Sequence, residues 1–306
     1  MLKVRAINVL SQWLKLITYK KQHMPELAEL KLTADFINAN CGNIKHLAIK
    51  KNPEHKGLEV NLPFTEFRIV AESRGKELLL WFKDVYSDKF TTLQMTMGMS
   101  GHFQVTNTAQ ESKHAHLKFY RKDGTTLSFV DVRRFGNWKQ GITWKADRGP
   151  DPTTEPREFF LNIMTNLTNK AFQKPLYEVL MNQKYFNGIG NYLRAEIIYR
   201  AGDVNPFLPA GKQIAKYPKI LKLCEDIPNL AYQRGGGSIK DWKNPFENEA
   251  TEKFFLCYGN KDMLKRIDSN GRKFWYDPKW EVSIHRDDLT DWDYYSGLPA
   301  TSSYAK

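Results

Sequence analysis

A chain of 306 residues with 41% hydrophobic and 26% charged residues can bury a sizeable core in two domains, which excludes a disordered or fibrous protein. Its formal net charge of +12 and pI near 9.4 point to a polyanionic partner, and no apolar run approaches the roughly 18 residues a membrane span needs. The cysteines Cys41, Cys224 and Cys257 are few, scattered and odd in number, which argues against a disulfide framework or a four-cysteine zinc site and for a reducing intracellular compartment.

Residues 1–23 carry basic residues and no acid, and alternate with apolar ones as an amphipathic helix would. They read as a targeting segment, a mis-assigned start or a remnant of expression, outside the active enzyme. From Pro25 the sequence predicts a helix. Pro suits the first helical position, Glu26 and Glu29 suit the first turn, Leu27, Leu30, Ala34 and Ile37 share a face, and Gly42 ends it. Residues 24–146 then form one unit whose later part has strand texture. Arg68–Val70 and Leu78–Phe82 flank a turn at Arg74-Gly75-Lys76, and Asp123-Gly124 sits in a hairpin between Leu117, Phe119 and Leu127, Phe129. These pairs suggest a β-sandwich or flattened barrel. The Pro-punctuated stretch 147–157 reads as a hinge. Residues 155–250 are helical in pattern until Gly235-Gly236-Gly237, residues 251–285 are β-rich and aromatic around Asp268-Ser269-Asn270-Gly271, and residues 286–306 form a flexible polar tail.

Several residues invite chemistry. A proline following methionine becomes a secondary amine once that methionine is removed, and a secondary amine attacking a sugar C1′ yields an iminium, which is covalent catalysis. Glu26 beside it suits proton donation to the sugar ring oxygen, and Glu29, one turn on, suits positioning of the amine. Lys76, at a hairpin tip after Gly75, suits a phosphate beside the reacting sugar. Asn187-Gly188-Ile189-Gly190-Asn191 precedes a helix and offers N–H groups and the Asn191 amide to another phosphate. Arg272, after Asn270-Gly271, suits phosphate or minor-groove contact. A base attacked by such a site must leave the stack, and Met99, Arg133 and Phe135 are an apolar wedge, a hydrogen-bonding fork and a stacking plate that fill the space. Judged alone, Met99 and Phe135 fit an ordinary core. His114 and His116 lack a third ligand and read as surface residues.

In order, MPE..E, RGKEL, GMSG, DVRRFG, NGIGNYLRAEI and NGR.FWY resemble the formamidopyrimidine-DNA glycosylase/endonuclease VIII family, over roughly residues 24–285. The wording is most similar to the zincless-finger branch of endonuclease VIII-like 1 proteins. The resemblance implies an α+β fold: an N-terminal β-sandwich with a leading helix, a helix–two-turn–helix domain and a C-terminal β-hairpin zincless finger, with DNA between. It implies Pro25 as nucleophile, Glu26 as proton donor, and Lys76, Asn191 and Arg272 as phosphate contacts. Met99, Arg133 and Phe135 match its void-filling positions. It further implies excision of oxidised pyrimidines and formamidopyrimidines followed by β,δ-elimination, with damaged DNA as partner, no cofactor, no metal, no membrane and a monomeric enzyme. Two departures stand out: Leu27-Ala28 replaces the family's Gly-Pro, and Cys257 alone cannot make a four-cysteine finger. With residues 1–23 attached, Pro25 is an amide, and the competing expectation is a silent DNA-binding protein on the same fold. A third expectation keeps the enzyme and shifts its preference to 8-oxoguanine through the short Gly235–Ser238 segment.

Overall fold

The computed structural model describes residues 25–237, 244–246 and 254–281. The 1–23 leader, Ser238 and the 286–306 tail lie outside the described residues.

Helix α1 (Leu27–Cys41) leads into eight strands: β1 (His46–Lys51), β2 (Phe67–Arg74), β3 (Glu77–Asp84), β4 (Phe90–Thr96), β5 (His102–Asn107), β6 (Ala115–Arg121), β7 (Thr125–Val130) and β8 (Asn137–Gln140). They pair in the order β5-β7-β6-β1-β2-β3-β4-β8, every described neighbouring pair antiparallel. Between β1 and β2 the ladder thins to the single pair His46↔Phe67. There the sheet doubles over, because apolar residues alternate along each strand and their inner faces need a partner. Phe82 on β3 meets Phe119 on β6 at 5.9 Å, and Phe129 on β7 meets Trp138 on β8 at 6.3 Å, although these strands are not neighbours. The core of this half therefore lies between the two layers.

A second body follows the 147–157 stretch: α2 (Pro156–Met164), α3 (Leu176–Val179), α4 (Asn191–Ala201), α5 (Ala210–Lys216) and α6 (Lys219–Gln233). Between α3 and α4 the chain makes two successive turns, closed by Phe186 N–H to Asn182 C=O at 2.8 Å and Ile189 N–H to Phe186 C=O at 3.2 Å. The hairpin β9 (Leu264–Ile267) and β10 (Lys273–Tyr276) joins the same core through Phe274, Trp275 and Tyr276.

Helix α1 belongs to both bodies. The expectation of one apolar face is corrected here. Leu27, Ala28 and Leu32 pack into the helical core, while Leu30, Ala34 and Ile37 pack into the sheet core. A helix wedged between two cores carries apolar residues on more than one face, which flattens the one-sided pattern expected of a surface helix. This wedging carries the chain's Pro25–Glu29 segment to the junction of the two bodies.

Candidate active site

The helix begins at Leu27 rather than at Pro25, with Glu26 as its N-cap in extended backbone (φ −108°, ψ −167°). The start is displaced because Glu29 accepts the Glu26 backbone N–H at 2.8 Å, one half of a capping box, while the Glu26 side chain is drawn to the other body. Pro25 is buried.

The Glu26 carboxylate sits on the N-terminus of α4. It accepts backbone N–H groups from Gly190 at 2.8 Å, Tyr192 at 3.1 Å and Leu193 at 3.2 Å, donors that the first helical turn leaves without intrahelical partners. Burial nonetheless dominates and raises its pKa to about 7, with Lys76 and the Tyr192 and Leu193 N–H groups pulling the other way. Lys76 is half-buried, not the solvated hairpin tip that a lysine there usually is, and its Nζ donates to the Ile189 carbonyl at 3.0 Å. Burial lowers its pKa to about 8 against the opposing pull of Glu26, and the charges of Arg148 and Arg272 lower it further. Gly190 lies so close that a Cβ there would come within 2.3 Å of both the Glu26 carboxyl carbon and Lys76 Nζ. Its lack of a side chain is what lets the carboxylate reach the helix end.

Glu29 is fully buried and does more than stand beside the proline. Its carboxylate also accepts the Tyr192 hydroxyl, at 2.9 and 3.0 Å to its two oxygens, and the Gly237 N–H at 2.8 Å. Burial pushes its pKa up against those donors. One side chain thus ties α1, α4 and the glycine run after α6 together.

Lys76 is aimed by its turn. Gly75 has φ +58°, a left-handed conformation that suits glycine, and its N–H donates to Asp151 Oδ2 at 2.7 Å. Asp151 is buried, and its other oxygen accepts the N–H and hydroxyl of Thr153. Sequence reasoning treated 147–157 as a hinge and missed Asp151, although Asp followed two residues later by Thr is an Asx-turn signal. Tyr192 was also missed, because an aromatic residue within a helix reads as core.

Asn191 opens α4. Its amide donates to the Lys273 carbonyl at 3.0 Å and its carbonyl oxygen accepts from Arg194 at 2.6 Å, so it joins the helix to β10. Arg272 precedes that strand with its side chain exposed. The hairpin is held in register by the fully buried Arg194–Asp268 ion pair at 2.9 Å, and Asp268 also accepts the Arg272 N–H at 2.8 Å. On the other side, the Glu196 carboxylate accepts three successive N–H groups, from Leu256, Cys257 and Tyr258, and pairs with Arg200. The donor set does not fit the four-cysteine zinc finger: Cys257 is the sole cysteine of the segment, it is buried, and no group of three metal-ligating side chains occurs among the described residues. The Asp268 and Glu196 carboxylates anchor this segment.

The candidate wedge is a separate loop. Phe135 is 55% exposed, and Met99 and Arg133 are half-buried, so the ordinary-core alternative does not hold. The Arg133 guanidinium reaches Met99 Sδ at 3.6 Å and lies 5.8 Å from the Phe135 ring centroid, which brings the three together. Beneath them the buried Asp131 carboxylate accepts the Ser100 hydroxyl and the N–H groups of Arg133 at 3.2 Å and Gly136 at 2.7 Å. Arg134 adopts φ +57°, uncommon for a non-glycine residue. The surface expected for His116 is corrected: it is 2% exposed and lies under this loop.

Known proteins resemble this chain in sequence and in fold. The model of the formamidopyrimidine-DNA glycosylase N-terminal domain matches residues 24–138. Endonuclease 8-like 1 of Homo sapiens is 34% identical over 288 residues, spanning 83% of this chain and 72% of the human protein. Formamidopyrimidine-DNA glycosylase of Caulobacter sp. (strain K31) is 28% identical over 246 residues, spanning 72% of this chain and 82% of that protein. Among solved structures, the MutM (Fpg) protein of Thermus thermophilus has a TM-score of 0.68 at 21% identity, covering 84% of this chain and 99% of its own. A MutM structure in complex with DNA containing carbocyclic 8-oxo-G has a TM-score of 0.68 at 22% identity, with the same coverage, and at such identity the likeness is one of fold. The shared α+β architecture and the 34% identity across most of both chains make this chain a member of the formamidopyrimidine-DNA glycosylase/endonuclease VIII family of base-excision repair enzymes.

Proposed function

We propose that the protein is a bifunctional DNA glycosylase and abasic-site lyase that removes oxidised pyrimidines and formamidopyrimidines. The observation that carries the reading is the Glu26 carboxylate, buried beside Pro25 on the N-terminus of α4, with a pKa near 7 and Lys76 alongside. A carboxyl that can hold a proton near neutrality is what a general acid needs.

The functional chain starts at Met24, where the family-model match also starts, and loses that methionine. The Pro25 amine attacks C1′, a C–N bond forms, and the N-glycosidic electron pair leaves with the damaged base, which takes up a proton. Glu26 protonates the ring oxygen O4′ as the ring opens, leaving an iminium between Pro25 and C1′. Loss of a C2′ proton expels the 3′ phosphate and a further proton loss expels the 5′ phosphate, after which water releases the proline. Glu29 holds the start of α1 through the Glu26 N–H and so positions the amine. Lys76, Asn191 and Arg272 hold phosphates, and Met99, Arg133 and Phe135 fill the space the extruded nucleotide leaves. The enzyme works as a monomer, without metal or cofactor, in a reducing intracellular compartment that contains DNA.

Borohydride trapping on a duplex with one oxidised pyrimidine tests this reading, comparing protein that starts at Pro25 with protein carrying residues 1–23. A covalent adduct with the first alone is the expected result. No adduct with either would leave a catalytically silent DNA-binding protein.

A further inference from the structure

Behind the wedge loop lies a buried ring stack that the chemistry above does not use. His116 on β6 places Nε2 2.8 Å from the Asp131 carbonyl, which also accepts the Arg134 N–H at 3.2 Å and so closes the turn in which Arg134 is left-handed. A carbonyl only accepts, so this nitrogen carries a proton. His116 Nδ1 is buried without a partner. His55 lies against it with ring centroids 4.9 Å apart, and is itself stacked on Trp138 at 4.5 Å and 15°. His55 Nδ1 accepts the Gly57 N–H at 2.9 Å, so it is unprotonated and the ring is neutral. The Trp138 indole donates to the Leu58 carbonyl at 2.8 Å, and a Cβ at Gly57 would strike that indole at 2.7 Å. The loop that displays Arg133 and Phe135 thus starts on His116, through Asp131, and ends on His55, through Trp138.

We propose that neutral His116 and His55 are positioning residues for the Asp131–Gly136 loop, governing extrusion of a base from duplex DNA and not the chemistry at C1′. The inference rests on the void-filling reading of Arg133 and Phe135. A second proton on His55 would evict the Gly57 N–H and set a charge against His116 and Lys51, with the Asp131 carboxylate opposing. A second proton on His116 would be charged near Arg134 and His114, again with Asp131 opposing. Burial holds both imidazoles below their usual range, so the neutral stack prevails at pH 7 and is lost on acidification.

The test measures single-turnover excision of one oxidised pyrimidine in duplex and in single-stranded DNA, where no base pair must open. His116→Ala is expected to slow the duplex reaction about tenfold, the loss of one buried hydrogen bond, while the single-strand rate stays within about twofold. His116→Gln, whose amide can still donate to Asp131, is expected to restore the duplex rate. The wild-type duplex to single-strand ratio should fall with acid, and the His55→Gln/His116→Gln variant should flatten that fall. Equal losses on both substrates, or no loss on either, would overturn the proposal. If the wild type excises nothing, the glycosylase reading fails instead. The loop proposal is then decided by 2-aminopurine fluorescence in the duplex, where His116→Ala should reduce extrusion and an unchanged signal would refute it.

Discussion

The Glu26 site and the wedge loop are built on opposite plans. Around Glu26 the two carboxylates are buried, each oxygen is committed to named donors, and all of those donors but the Glu26 N–H come from the helical body. In the wedge loop Phe135 is exposed and Met99 and Arg133 half-buried, while their support, Asp131, His116 and Trp138, is out of water beneath. Groups that shift protons need low dielectric and fixed geometry, whereas groups that replace a base in a stack must be reachable by it. Preorganisation therefore falls on the carboxylates in the one region and on the backbone in the other.

The largest expected effect comes from the buried region. Glu26→Gln should abolish base excision, a loss on the order of 10³-fold or more, while DNA binding persists, as gel-shift affinity alongside single-turnover kinetics would reveal; retained excision would remove Glu26 from its role. Gly190→Ala should cost about 100-fold in the same assay, because the new methyl collides with both Glu26 and Lys76. Asp268→Ala leaves the buried Arg194 without its counter-charge and should lower unfolding free energy by about 3–5 kcal/mol in urea titration.

Smaller effects belong to the exposed region and to solution conditions. Phe135→Ala should slow excision in duplex DNA about tenfold with no change in melting temperature; a drop in melting temperature would place Phe135 in the core after all. The excision rate should decline as pH rises through about 7, because a general acid must hold its proton and Glu26 gives it up there. A rate that climbs steadily to pH 9 would assign the acid role elsewhere. DNA affinity should fall steeply with salt, since Lys and Arg contacts release counterions, and a flat dependence would argue against phosphate contacts by Lys76 and Arg272.

The motifs and the hairpin at Asp123-Gly124 are legible in the sequence because they rest on local rules, turn chemistry and period-two alternation, and the α+β class follows from the family those motifs resemble. So are the candidates Pro25, Glu26 and Lys76, since residue type and adjacency state their chemistry. Their surroundings are not. Glu26 meets Gly190 across 164 residues, Gly75 meets Asp151 across 76, and His55 meets Trp138 with no local pattern to announce it. The one-sided helix expected for α1 failed because two cores, not one, claim its faces.

By itself the sequence determined which groups are available and what each could do as an acid, an amine, an amide or a ring. Tertiary structure alone decided which of them lose their water. That decides the protonation of Glu26 and Lys76, because burial acts on a charge through everything packed around it, and no stretch of sequence contains its own surroundings.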